Sequence, residues 1–281
     1  MLRRLAQPFV SLNRLFERID RTLTRGQRVL RELPLVLYDA RGNDLATFDY
    51  FDRMPRYRDP RDQAAGLYPF EARALEQFFP PAPARLLAHG VGGGRELAAL
   101  VTSGFEVEAY EPAEKLSRAA ELFLAGRATV RTAGLQDWAR APSGCFDGVF
   151  TGWAVWGCLV RQADRVGILR AFREVCPSGP VLISFFRGET LFDVSERPPA
   201  PQPIHPVWTD RLERVTRTWL RERVLGGAPL ERGTDWHNGL YVHLTEEWEL
   251  REEAAQAGYR VAHYEQSAQK YPNAVLVPWS P

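Results

Sequence analysis

The sequence predicts an α/β fold: a doubly wound, mostly parallel sheet of seven strands that closes with an antiparallel hairpin. Three observations predict it. From about residue 68 onward, short apolar runs alternate with amphipathic helical stretches, the pattern of a parallel sheet covered on both faces. Gly90 and Gly92 to Gly94 crowd four glycines into five positions between one apolar run and the next helix. The last two strand-like segments, "YRVAHYE" and "NAVLVP", lie too close together for a crossover, so they pair antiparallel.

The elements follow in order. "PFEARALEQFFPP" reads as a helix with Pro69 in its first turn and a stop at Pro80 and Pro81. Leu86 and Leu87 belong to the first strand, the glycines turn the chain, and "RELAALVTSG" is a helix ending at Gly104. "GFEVEAYEP" alternates Phe105, Val107 and Ala109 as a second strand and ends on Glu111-Pro112, and "AEKLSRAAELFLAG" is a helix stopped by Gly126. "ATVRTA" is a short third strand, "LQDWARAP" a connection and "FDGVFTGW" a buried fourth strand. "ADRVGILRAFREVC" is a helix with Ile168, Leu169, Phe172 and Val175 on one face, and "PVLISFF" is the fifth strand. An insertion over roughly 187–240 follows, with a helix at "WTDRLERVTRTWLRERVL". "LTEEWELREEAAQAG" is a helix with Thr245 as N-cap and Gly258 as C-cap.

Residues 1–60 form a helical extension ahead of the main domain, 61–281. "LRRLAQPFVSLNRLFERIDRTL" is amphipathic and basic, with Leu5, Phe9, Leu12, Phe16 and Ile19 at three- and four-residue steps. Such a helix can cap the core, pair with a second copy as a homodimer, or lie on an anionic membrane surface. Glu17 and Asp20 dilute its basic face and favour the first two roles. "DYFDRMPRYRDPRD" reads as a proline-punctuated linker or lid.

Composition narrows the class. The chain has 281 residues, 45% hydrophobic and 25% charged, as expected for a soluble globular protein. A net charge of +1 gives no reason to expect a nucleic-acid partner. Cys145, Cys158 and Cys176 have no CxxC spacing, so no disulfide framework and no metal site is expected, and a cytoplasmic location fits. The longest weakly polar run, Gly148 to Val160, is too short to span a bilayer, and Gln7, Asn13 and Arg14 interrupt any signal-peptide core.

Over residues from about 68 to 278, this order of motifs resembles the class I S-adenosylmethionine-dependent methyltransferases, a Rossmann-like family. "LLAHGVGGGRE" sits where the family has a run like LDLGCGTGRE, so Gly90, Gly92 and Gly94 match its cofactor-binding glycines. "VEAYEP" matches its ribose-binding strand end, which implies Glu111 as hydroxyl acceptor. "TAGLQDW" falls where the family clasps adenine, implying Leu135 and Gln136, and "FDGVFTGW" matches its fourth strand, implying Gly152 and Trp153. "CPSGPVLISF" and "AGYRV" match the approaches to its fifth and sixth strands. Ala88 and Gly134 depart from the pattern: many members carry acids there, toward the methionine amino group and toward adenine respectively. "TGWA" replaces the NPPY-type tetrapeptide of the amide- and base-methylating branch. The resemblance implies S-adenosylmethionine as cofactor and a small or medium-sized metabolite as methyl acceptor.

The glycine cluster also has a reading of its own. A β-turn-α unit rich in glycine brings bare backbone against a nucleotide, and a carboxylate at the tip of the next strand accepts ribose hydroxyls. Arg95 stands where a dinucleotide fingerprint needs Gly or Ala, and Glu96 places a carboxylate where a diphosphate would sit. A nicotinamide oxidoreductase is therefore disfavoured, while a sulfonium nucleoside tolerates Glu96.

Methyl transfer from a sulfonium expels a neutral leaving group, so alignment supplies much of the acceleration and a base is needed only for a protonated acceptor. At the ligand end of the sheet stand Trp153, Trp156, Arg187, Glu189 and His243, with His237 and Tyr241 close in sequence. His243 is the preferred base, because imidazole titrates near working pH, with packing as its other reading. His89 is read as a packing or hydrogen-bonding residue. The extension and the insertion are expected to form a lid that chooses the acceptor while the sheet holds the cofactor. A non-catalytic cofactor-binding module that docks through its basic helix is the alternative.

Overall fold

The computed structural model describes residues 40–186, 219–224, 231–237, 240–265 and 272–279. The chain divides into two compact units. Of the first, residues 1–39 with 204–229, a single π-helical turn at Leu220–Val224 is described. The basic N-terminal helix and most of the insertion, with Arg187 and Glu189, lie outside the described residues.

The second unit holds the sheet. Helix α1 is Ala40–Arg53, followed by a 3-10 turn at Pro55–Arg58, a short α2 at Pro60–Gln63 and α3 at Pro69–Phe78. Then come β1 Arg85–His89, α4 Arg95–Thr102, β2 Glu106–Tyr110, α5 Glu114–Leu124 and β3 Val130–Arg131. α6 Leu135–Trp138, β4 Gly148–Thr151, a 3-10 turn at Val155–Cys158, α7 Gln162–Val175 and β5 Val181–Ser184 follow. The chain closes with β6 Thr234–His237, β7 Leu240–His243, α8 Glu247–Gln256, β8 Tyr259–Glu265 and β9 Asn273–Pro278.

The seven-stranded sheet runs β3-β2-β1-β4-β5-β9-β8. Its first five strands are parallel, and β9 pairs antiparallel with both β5 and β8, as the sequence predicts. The two-residue period of a strand sorts the core. Leu87, Val149, Val181 and Ile183 face α7 and α8, where Ile168, Leu169, Phe172 and Leu250 are buried. Leu86, Phe150 and Leu182 face the other way and pack with Ala74, Phe79 and Leu100 of the opposite helical layer. Because the order reverses between β1 and β4, the loops leaving these strands diverge and open a crevice at their carboxyl ends, the place where such sheets bind ligands.

Two local expectations are corrected, and one element is added. The stretch read as a linker is helical: α1 continues to Arg53, and Pro55 and Pro60 each open the short helix that follows, where proline's missing N–H has no helical partner to lose. The N-cap of α8 is Glu246, not Thr245, whose side chain is fully buried and whose N–H donates to the Phe186 carbonyl at 3.0 Å. Glu246 and Glu249 form a reciprocal capping box instead. The insertion ends in an antiparallel hairpin, β6 with β7, that was not expected.

Candidate functional site

The crevice is a cavity of about 1150 Å³, counting its open mouth. Its floor is the glycine turn. Gly92 takes φ +52 and Gly94 φ +97, conformations that a side chain disfavours, and a Cβ on Gly93 would collide with the Tyr57 carbonyl. Chain from the 3-10 turn after α1 thus lies directly on the loop, and Gln63 Nε2 fixes it there by donating to the Gly93 carbonyl at 2.7 Å.

Glu111 stands at the tip of β2, only 5% exposed. Its Oε2 accepts the Gly92 N–H at 2.7 Å and its Oε1 accepts the Ala113 N–H at 2.9 Å. Burial pushes its carboxyl up to about 7, and Glu96 and Asp52 add to the rise, against the two backbone donors that lower it. It sits beside the loop as expected, with lone pairs left over for hydroxyl donors.

Arg95, the first residue of α4, is fully engaged. It donates to Glu71 at 2.7 and 2.8 Å, to Glu96 at 2.6 Å and to the Gly66 carbonyl at 2.6 Å, and its guanidinium lies 3.8 Å from the centre of the Tyr68 ring. Burial opposes its charge, and Glu96 and Glu71 more than compensate, holding it above the usual guanidinium range. Burial also drives the Glu71 carboxyl up to about 7. Glu96 and Glu111 thus line the cavity beside the loop while Arg95 is tied to Glu71 and Glu96, an arrangement that disfavours a diphosphate at the loop and suits a cation.

Of the residues singled out for the cofactor, Gly90, Gly92, Glu111, Leu135, Gln136 and Trp153 line the cavity. Gly94 and Gly152 stand behind it. A Cβ on Gly94 would press on Ala120 of α5 at 3.1 Å, so this glycine lets two helices meet, and one on Gly152 would strike the Gly90 carbonyl. His243 is not among the lining residues: its side chain is fully buried, with Nε2 3.0 Å from Glu249. That bond joins it to a buried group in which Arg165 bridges Glu249 and Glu253, a packing role, and His243 is not carried forward as the base. His89 packs as well. It stacks on Tyr110 at 4.8 Å, and burial lowers its imidazole to about 3, so it is neutral.

The roof comes from residues that sequence reasoning left out. Asp44, Thr47, Phe48 and Phe51 of α1 face the cavity, a spacing of three and four residues that defines one helical side. Tyr57 and Tyr68 meet Trp153 edge-on at 6.2 and 5.6 Å, and Arg56 lies 5.2 Å from the Trp153 ring centre while pairing with Asp62 at 3.1 Å. Residues 44 to 57 thus form one wall of the cavity. Cys158 also lines the cavity, with burial holding its thiol up at about 12.

The sequence matches no family model and none of the curated proteins. The fold has many likenesses among solved structures. The CcbJ methyltransferase of Streptomyces caelestis superposes with a TM-score of 0.52 at 14% identity, over 83% of this chain and 96% of that one. The magnesium protoporphyrin IX methyltransferase of Synechocystis PCC 6803, solved with bound S-adenosylhomocysteine, gives 0.52 at 16%, over 85% and 100%. DesVI of Streptomyces venezuelae gives 0.51 at 15%, over 84% and 97%. The chain has the fold of the class I S-adenosylmethionine-dependent methyltransferases.

Proposed function

We propose that the protein binds S-adenosylmethionine in this cavity and transfers its methyl group to a small or medium-sized metabolite. The observation that carries the reading is Glu111, a buried carboxylate at the tip of β2 whose Oε2 lies 2.7 Å from the Gly92 N of the glycine turn. A carboxylate so placed accepts the two hydroxyls of a ribose, and the open space above Gly92, where a Cβ would meet nothing within 4 Å, leaves backbone bare for the ligand. With Arg95 committed to Glu71 and Glu96, the loop offers no cation to a phosphate.

When bound, the cofactor supplies an electrophilic methyl on a sulfonium. The chain's own part is to orient and to exclude water. Glu96 and Glu111 favour positive charge near the loop, and the aromatic walls of Phe51, Tyr57, Tyr68 and Trp153 make a dry channel in which an acceptor is aligned. The metabolite class fits the named substrate of one fold neighbour, magnesium protoporphyrin IX.

Calorimetric titration with S-adenosylmethionine, S-adenosylhomocysteine and NAD tests the reading. The two sulfur nucleosides are expected to bind and NAD is not. Binding of NAD alone would overturn it.

A further inference from the structure

Helix α1 meets the cavity at one end. Leu135 and Gln136 form that end together with Pro112, the residue after Glu111, so it is where a base attached to the Glu111-bound ribose would lie. Gly134 contributes no side chain there. A Cβ built on it would stand 3.3 Å from the Phe48 ring, so Phe48 of α1 occupies the space that a side chain after β3 would fill. Asp44, one helical turn earlier, reaches the same place: Gln136 Nε2 donates to its Oδ1 at 3.3 Å, long for a bond to a carboxylate. Burial is the main influence on Asp44, with the charges of Asp164, Arg161 and Asp137 beside it, and Leu135, Cys158 and Leu159 line the same cavity. A carboxylate in such a slot calls for an N–H donor, and a flat ring face beside it suits a heteroaromatic ligand.

We propose that the N-terminal helix, and not the loop after β3, reads the base of the cofactor: Phe48 lies on its face and Asp44 accepts a hydrogen bond from its exocyclic amine. The inference rests on the cofactor reading above and assigns a specificity to residues outside the sheet. It also links two segments. Asn43, next to Asp44, is paired through its side chain with the Tyr241 backbone of β7. Seating the base against Asp44 therefore fixes α1 and the β6–β7 hairpin in one event.

Two nucleosides separate the outcomes: S-adenosylhomocysteine and S-inosylhomocysteine, which carries oxygen in place of the amine. Wild-type protein is expected to prefer the adenosine compound by about ten- to a hundredfold. Asp44→Ala should lose that preference while still binding the inosine compound, which also shows that the variant is folded. Asp44→Asn should shift the preference toward the inosine compound, because its amide can donate to the oxygen. Hydrogen exchange is expected to show residues 40–53 and 240–243 protected together by S-adenosylhomocysteine in wild type, and neither protected in Asp44→Ala at saturating ligand. A preference that survives Asp44→Ala overturns the inference and leaves the cofactor reading standing. No binding of either nucleoside to wild type overturns both.

Discussion

Asn43 and Tyr241 hold each other through two hydrogen bonds: the Asn43 Nδ2 donates to the Tyr241 carbonyl at 3.3 Å, and its Oδ1 accepts the Tyr241 N–H at 2.8 Å. The amide thus stands in for a strand partner on the side of β7 away from β6. Asn43 is 1% exposed, so water cannot replace it. Asn43→Ala is expected to destabilise the protein by about 1 to 3 kcal/mol, since a buried N–H and carbonyl lose their partner. Urea denaturation checks this, and a loss below about 0.5 kcal/mol would mean that the helix and hairpin separate freely.

The Arg95 cluster gives a second expectation. Glu71 and Glu96 have side chains only 2% and 7% exposed, so Arg95→Met leaves two carboxylates without their cation and is expected to destabilise by about 3 to 5 kcal/mol. Adding Glu71→Gln should recover part of that, because the amide oxygen still accepts the Tyr68 N–H that Glu71 now accepts at 2.6 Å. Denaturation of the single and double variants measures the difference. An additive result would show that the pair is not coupled.

Two neighbouring glycines should respond in opposite ways. Gly92→Val has open space for its Cβ and is expected to fold, at about 1 to 2 kcal/mol for the left-handed backbone, yet to lose S-adenosylhomocysteine because the side chain enters the cavity. Gly93→Ala drives its methyl into the Tyr57 carbonyl and should loosen the roof even without ligand. Protease sensitivity of residues 55–63, compared between the two, is the readout.

Ligand affinity should depend on pH through Glu111. Its carboxyl is raised to about 7 by burial, and ribose hydroxyls donate to the ionised form, so binding pulls the group back down. Affinity for S-adenosylhomocysteine is therefore expected to be full above pH 7 and to weaken as pH falls through 7, by up to about tenfold per unit. In the free protein the same group acts on stability with a definite sign. Its folded pKa lies above the ordinary 4.5, so its contribution is favourable below 4.5 and is lost as pH rises through about 7. Glu111→Gln should flatten the affinity profile between pH 6 and pH 8, which calorimetry at a series of pH values records.

The sheet was legible because its signals are local. Leu86 and Leu87, Gly148 to Thr151 and Val181 to Ser184 are short apolar runs between turn signals, and each is a strand buried on both faces. Glu111 was legible because a strand's end is set by its own period and by Pro112. The roof was harder to see. Asp44, Phe48 and Phe51 line the cavity, but Leu45 on the same helix is 61% exposed, so no single apolar stripe marks α1 as a packed element. The β6–β7 hairpin carries a signal of its own, the Asn-Gly pair within "TDWHNGLYVH", which favours a tight hairpin turn but is short beside the long insertion that contains it. His243 misled because a histidine at the ligand end of a sheet looks available, whereas its burial follows from Glu249 and Arg165, partners fixed only by the tertiary fold.

The link between Asn43 and Tyr241 spans 198 residues, and its two ends leave the ribosome in that order. During synthesis α1 emerges with its cavity face complete and nothing to set it against, and the strand that will hold it follows only after β1 to β5 have been made. Loop closure over such a span is slow, so the binding cleft is finished after the parallel strands β1 to β5 beneath it. In refolding followed by pulsed hydrogen exchange, amides of 43–53 should gain protection no earlier than those of 240–243, and later than those of β1 and β4. The cavity face of α1 is thus exposed until β7 has been made, and this is an interval in which a nascent molecule is open to chaperones and to its own neighbours.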